Sequence, residues 1–391
     1  MGEHLPEEGG RPGYVRLSED CSPKLLEEPC VYNRATDELY IVNQEALEFL
    51  RRCAGGVPFP AGSDEAAFVD FCLEEGILVL CRGPARRELN PVQSPVPSLR
   101  YLLLHITARC NLACRHCFLG NAANEELALE RVTSAVDEFE GMQGLRLMVS
   151  GGEPLLHREF DTLNDYVAGK DLRSVLLTNG TLLDEEKVAR LRFSEVQISL
   201  DGLEPAHNYL RGEGSFRRSL AALKLLREAG IQVSVATMIH RHNLEDLDRL
   251  QELLADVGVR EWSLDVPSPA GRMGASPDLA LGPAVAGPQL ARSYGGAIHE
   301  PAPGYACGVH LMAVMADGSL AACGFFAGRP LGSIEEGLAA GWQRKPRTTL
   351  QELDCSCEHV EDCRGGCRFR AAGYNNAKSP DLCQCYRYGV L

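Results

Sequence analysis

The sequence has no stretch approaching the ~18 uninterrupted apolar residues that a membrane-crossing helix needs. It has no run of basic residues either. Its 39 Lys and Arg are scattered among 54 Asp and Glu, for a formal net charge of −15. Neutralising phosphates takes clustered cations, so neither nucleic acid nor an anionic lipid surface is an expected partner. The first twelve residues are acidic and glycine-rich, without the cationic start and apolar run of a secretion signal. A cytoplasmic protein is expected. A basic peptide would suit its charge.

Cysteine is what the sequence has in excess. There are 16 in 391 residues. Without a secretion signal, disulfides are a poor explanation, and metal ligation fits a reducing compartment better. Their placement agrees: three fall at 110–117, eight between 307 and 385, and five are scattered before residue 85. Those five (Cys21, Cys30, Cys53, Cys72, Cys81) read as small buried apolar groups. At 45% hydrophobic residues the chain is globular, and its length allows two or three domains.

Residues 1–13 are expected to be a flexible N-terminus. Residues 14–81 read as a small unit. Strand-like runs at 29–33 and 38–43 flank a turn at 34–37. A helix at 44–53 places Ala46, Leu47, Leu50 and Cys53 on one face, and another begins at Asp64 with Phe68, Phe71 and Cys72 apolar. A strand at 77–80 closes the unit. This order predicts a winged helix–turn–helix, and the missing basic patch argues against a DNA role. Residues 82–98 form a linker with Arg82, Pro84, Arg86, Arg87, Pro91, Pro95 and Pro97.

Residues 99–270 alternate strand and helix. The strands are expected at 102–107, 145–150, 175–178, 196–200, 233–238 and 262–266, with helices at 127–139, 185–191, 218–229 and 244–254. Six such units predict an α/β fold, a partial (β/α)6 barrel of TIM type with chemistry at the C-terminal strand ends. Residues 271–304 form a bridging segment. Residues 305–391 are rich in Cys and Gly with little periodicity, so their fold is expected to depend on metal.

The decisive stretch runs from Cys110 to Cys117, directly after the first barrel strand. Cys110, Cys114 and Cys117 at CxxxCxxC spacing can ligate three irons of a [4Fe–4S] cube and leave the fourth open to a substrate or cofactor. Zinc is the alternative, although zinc sites favour paired CxxC motifs, and only His116 stands near as a fourth ligand. The second strand ends in Ser150-Gly151-Gly152-Glu153-Pro154. Glycines allow close backbone approach to a ligand, and Glu153 can pair with an ammonium group.

This combination resembles the radical S-adenosylmethionine (SAM) superfamily over residues 99–270. The resemblance implies that Cys110, Cys114 and Cys117 bind the cluster and that Gly151, Gly152 and Glu153 hold the methionine part of SAM. Ser199 and Asp201, in Ser199-Leu200-Asp201-Gly202, fall where relatives contact the ribose. Arg211-Gly212-Glu213-Gly214-Ser215-Phe216 is similar to a family pattern. His207-Asn208 departs from the usual His-Asp pair and is given no role.

The last eight cysteines resemble the SPASM extension of these enzymes, which carries two auxiliary [4Fe–4S] clusters. By that pattern Cys307, Cys323 and Cys367 serve the first and Cys357, Cys363 and Cys385 the second. Gly318 belongs to the hairpin turn at 316–319. No cysteine precedes Cys307 closely, which leaves the first cluster with room for a substrate thiolate. For the remaining ligand of the second cluster Cys355 is preferred over Asp354, because thiolate suits iron better, and Cys383 is an alternative to Cys385.

Residues 14–81 resemble the RiPP recognition element, a winged-helix domain that binds the leader of a ribosomally made precursor peptide along a strand edge. The edge is expected at 28–33. The whole is thus identified as a member of the radical SAM/SPASM peptide maturases. Such an enzyme uses SAM and three [4Fe–4S] clusters, takes electrons from a flavodoxin or ferredoxin and needs no general base. A Cys thioether cross-link is the expected product. Epimerisation, a carbon–carbon cross-link, sulfatase activation and tetrapyrrole side-chain chemistry are alternatives, as is a non-enzymatic cluster carrier.

Overall fold

A computed structural model describes residues 13–60, 63–84, 87, 89, 91–120, 124–296 and 303–391. The flexible N-terminus expected from the sequence lies, but for Gly13, outside the described residues, as do Arg86 of the linker and residues 297–302 of the bridging segment. The chain divides into two compact units between Val96 and Pro97.

The first unit holds two small sheets and two helices. β1 (Tyr14–Leu17), β5 (Val57–Pro58) and β6 (Leu78–Cys81) form one antiparallel sheet, with β1 in the middle. β2 (Cys21–Leu25), β3 (Pro29–Asn33) and β4 (Glu38–Ile41) form the other. Helix α1 (Gln44–Cys53) starts at Asn43, whose side chain accepts from the Ala46 amide at 2.8 Å. Helix α2 spans Ser63–Glu74. Leu50, Val69 and Ile77 pack around Cys21, Cys53 and Cys72 in one core. Burial pushes the Cys53 and Cys72 thiols up to about 12, so both remain un-ionised.

The strand edge expected at 28–33 is corrected here. β3 is the central strand, paired with β2 on one side and β4 on the other. The outer side of β2 is bridged at Leu25 to Gln93. Among the described residues, β2 and β4 are the outer strands of this sheet, and of the two β4 has no bridge on its outer side.

In the second unit, six parallel strands follow one another in order: β7 (Tyr101–Thr107), β8 (Arg146–Gly151), β9 (Arg173–Thr178), β10 (Glu195–Ser199), β11 (Gln232–Met238) and β12 (Glu261–Asp265). The connecting helices are α3 (Leu129–Gly141), α4 (Phe160–Ala168), α5 (Glu185–Arg190), α6 (Glu204–Arg211), α7 (Ser215–Glu228) and α8 (Leu247–Val257). Leu102, Leu104, Leu147, Val149, Val196 and Val235 are wholly buried, as strands covered on both faces require. At the N-terminal end of the strands Arg173 pairs with Glu195 at 2.5 Å, and both are buried.

The sheet continues past β7. β13 (Leu311–Val314) lies parallel to it, and β14 (Ser319–Ala321) and β15 (Gly332–Ser333) extend it antiparallel. Gly318, at φ +87, makes the turn between β13 and β14. Short helices α9 (Pro283–Gln289), α10 (Leu338–Arg344), α11 (Val360–Cys363), α12 (Arg368–Tyr374) and α13 (Leu382–Arg387) complete the unit.

Candidate active site

A cavity of about 550 Å³ opens at the C-terminal ends of the barrel strands. Cys110, Cys114 and Cys117 all line it from the loop after β7, together with Gly151, which ends β8, Gly152 just after it, Ser199, which ends β10, and Asp201 two residues beyond. The cysteine loop is tied down from outside itself. The Arg115 amide donates to the Leu210 carbonyl at 2.9 Å. Arg272 donates twice, from its amide to the Cys117 carbonyl and from Nε to the Cys114 carbonyl, both at 2.9 Å.

The two glycines serve this loop directly. A Cβ on Gly151 would lie 2.3 Å from the Thr107 carbonyl oxygen, and one on Gly152 would lie 2.3 Å from that of Arg109. The amides of Gly152 and Glu153 donate to those same carbonyls at 2.8 Å. What the glycines admit is therefore the backbone leading into Cys110. A Gly152→Ala variant must push that backbone away and misplace the first thiol. Reconstituted G152A is expected to hold about four fewer irons than wild type, one cube's worth. An unchanged iron count would show that the loop tolerates the methyl.

Glu153 does not line the cavity. Its carboxylate is fully buried and accepts from Thr178 Oγ1 at 2.7 Å, the Asn179 amide at 2.9 Å and the Leu155 amide at 3.3 Å. Burial pushes the carboxyl up to about 7 against those bonds, which pull it down. It joins the ends of β8 and β9, and Thr178 and Asn179 present the polar wall there. Asp201 is also fully buried. Burial pushes its carboxyl up, but the Arg211 guanidinium, whose Nε donates to it, holds it well below the usual carboxylate range. The Met238 amide donates to its other oxygen at 2.7 Å. Arg211 lines the cavity as well, a role that its place in the Arg-Gly pattern did not disclose.

Sequence reasoning also missed a group of buried imidazoles. His207 Nδ1 accepts from the Asp201 amide at 3.0 Å. His116 Nδ1, His207 Nε2 and His240 Nε2 have no hydrogen-bond partner among the described residues. Burial keeps them neutral, lowering His116 to about 3 and His207 to about 4. Single histidines at unrelated positions carry no motif, so only the folded chain brings them together.

Seven of the last eight cysteines form two groups. Cys307 stands within electrostatic reach of Cys323 and Cys367. Cys355, Cys357, Cys363 and Cys385 line a second, small cavity, and Asp354 and Cys383 do not. The Cys383 sulfur is buried, 3.4 Å from the Tyr374 hydroxyl. Among the described residues no three His, Cys, Asp or Glu side chains gather tightly enough to hold a single metal ion. A zinc site asks for donors about 2.0–2.3 Å from one centre, whereas a cube takes each thiolate on a different iron. The donors are thiols throughout, the soft kind that an iron–sulfur cluster takes.

Residues 104–254 match the family model of the Radical SAM superfamily. The chain carries a radical SAM domain. This is the catalytic domain of an enzyme superfamily, and the cysteine loop of the cavity lies within it. The AdoMet-dependent heme synthase of Nitratidesulfovibrio vulgaris is 31% identical over 185 residues, 45% of this chain and 50% of that protein. The mycofactocin maturase MftC of Mycolicibacterium smegmatis is 34% identical over 164 residues, 40% and 42% of the two chains. The chain thus spans about half the length of the curated relatives it matches. Streptococcus suis SuiB, solved with precursor peptide SuiA, is similar over 95% of this chain and 100% of that one. Its TM-score is 0.66 at 14% identity, a likeness of fold. Among the described residues no helix is long and apolar enough to cross a membrane.

Proposed function

We propose that this protein is a radical SAM peptide maturase that makes a thioether between a Cys sulfur and a carbon of a ribosomally made precursor. The observation that carries the reading is the three thiols of one loop lining a cavity inside a radical SAM domain. Its volume is in the range of cofactor and ligand pockets. Cys110, Cys114 and Cys117 are assigned to a [4Fe–4S] cluster, and the backbone of Gly151 and Gly152, with Ser199 and Asp201, to SAM. Glu153 holds the wall to which the ammonium of SAM binds. Cys307, Cys323 and Cys367 are assigned to one auxiliary cluster, and Cys355, Cys357, Cys363 and Cys385 to the other.

When bound, these groups supply one-electron cleavage of SAM, a 5′-deoxyadenosyl radical that removes a hydrogen atom, and an electron acceptor. The chain's own residues orient and shield. Asp201 and Arg211 neutralise one another in the cavity wall, and Arg272 fixes the cysteine loop. Phe118 and Phe325 pack with their ring centroids 5.0 Å apart, tilted at 49°, and give the cavity an apolar side. On the peptide, a C–H and an S–H bond are exchanged for a C–S bond, and two electrons leave in separate steps.

A peptide substrate is supported by the likeness to SuiB, whose 95% coverage takes in the first unit. The leader is assigned to β4, an outer strand with no bridge on its free side among the described residues, by β-augmentation. The heme synthase relatives favour a second reading, tetrapyrrole side-chain chemistry, over the barrel alone. Deletion of residues 1–96 separates the two. The truncated protein is expected to cleave SAM but to modify a Cys-bearing precursor peptide at least ~10-fold more slowly. Undiminished peptide turnover would remove the leader role. Turnover of a tetrapyrrole by both forms would establish the second reading.

A further inference from the structure

Two carboxylates and one guanidinium link the cavity wall to both auxiliary cysteine groups. Arg370 of α12 is buried. Its Nη1 donates to Asp265, the last residue of β12, which lines the cavity. Its Nη2 donates to Asp381 Oδ2 at 2.8 Å, and Nε reaches the two Asp381 oxygens at 3.1 and 3.3 Å. Asp381 is 1% exposed, so water does not screen its contact with Arg370, whereas the Asp265 side chain is 45% exposed and is screened in part.

Asp381 does more than answer Arg370. Its Oδ2 accepts from the Cys367 amide at 2.8 Å. Its Oδ1 accepts from the Cys383 amide at 3.2 Å, capping α13, and its carbonyl accepts from the Cys385 amide at 3.1 Å. The Asp381 carboxylate thus positions Cys367, assigned to one auxiliary cluster, and caps the helix that carries Cys385, assigned to the other. Gly366 makes this approach possible, since a Cβ there would lie 2.6 Å from the Asp381 Cβ.

We propose that Asp265, Arg370 and Asp381 form a charged strut that positions the auxiliary ligands and lets the charge at the cavity wall set the reduction potential of the first auxiliary cluster. The inference rests on the auxiliary clusters proposed above. Asp265 touches no cysteine, yet its carboxylate and the Arg370 guanidinium are both felt at Cys367. Removing a negative charge stabilises the more negative, reduced cluster and raises its potential. A ligand that places a cation or a donor against Asp265 acts in the same direction, so occupancy of the cavity is reported to the cluster.

The test is a redox titration followed by electron paramagnetic resonance, on full-length reconstituted protein. The Cys110/Cys114/Cys117→Ala background confines the signal to the auxiliary clusters. Asp265→Asn is expected to keep the auxiliary iron and to raise one midpoint about tenfold in the reduction equilibrium, 59 mV for one electron. Asp265→Glu, which keeps the charge, is expected to restore most of the shift. An unmoved midpoint in D265N with iron retained overturns the strut as an electrostatic device. So does an equal shift in D265E, or loss of iron from D265N, since either makes Asp265 a packing residue. Failure of the background protein to bind auxiliary iron at all would instead remove the cluster assignment, and the strut with it.

Discussion

Anaerobically reconstituted Cys110/Cys114/Cys117→Ala protein is expected to lose SAM cleavage altogether and to hold about eight irons where wild type holds about twelve. The three thiols line one cavity, and no auxiliary cysteine joins them there. Their loop owes its path to backbone contacts with Leu210 and Arg272 and to the close approach of Gly151 and Gly152, none of which uses the sulfurs. The substitution therefore removes ligands and leaves the cradle standing. The eight irons that remain measure the auxiliary groups in the same sample. Residual SAM cleavage by the variant would sink the assignment of this loop. About four irons in wild type, with zinc making up the difference, would return the C-terminal cysteines to a structural role.

The parallel sheet could be read from the sequence because its strands are buried on both faces. Runs such as Leu102-Leu103-Leu104 and Val175-Leu176-Leu177 are apolar throughout, and the expected and observed bounds differ by one or two residues. The loop cysteines and the Gly-Gly pair were visible because their chemistry is local: each motif is a few consecutive residues. Helices α4 and α6 escaped notice. The second of them, Glu-Pro-Ala-His-Asn-Tyr-Leu-Arg, buries His207 and Asn208 where the pattern suggests polar surface. Strand β2 was hidden by Pro23 and Lys24, the latter 2% exposed, and missing it turned the central β3 into a supposed edge. The hairpin turn at 316–319 was legible, but the pairing of its first strand was not, because nothing local says that a segment beginning at Leu311 will lie beside a strand beginning at Tyr101. The same limit applies to the site. That Glu153 spends its oxygens on Thr178 and Asn179, and that Arg211 meets Asp201, are facts of tertiary contact.

The choice among the last cysteines was likewise a question of contact, and it yields the second large effect. Cys355→Ala and Cys385→Ala are each expected to cost the second auxiliary cluster, a loss of up to about four irons per chain. Asp354→Ala and Cys383→Ala are expected to keep it. Cys355 and Cys385 share a small cavity with Cys357 and Cys363, and the Cys385 thiol feels all three of the others. Burial pushes that thiol up to about 11, so iron must displace a bound proton to claim it, and loading should quicken as pH rises toward that value. Cys383 lies two residues away on α13, but its sulfur turns into the core toward the Tyr374 hydroxyl. A six-residue helix places residues two apart on different faces, so the two thiols cannot exchange roles without unwinding it. Iron and sulfide counts on the four variants, side by side, check the assignment. Full iron in C385A together with a deficit in C383A would show that α13 presents its other face to the cluster.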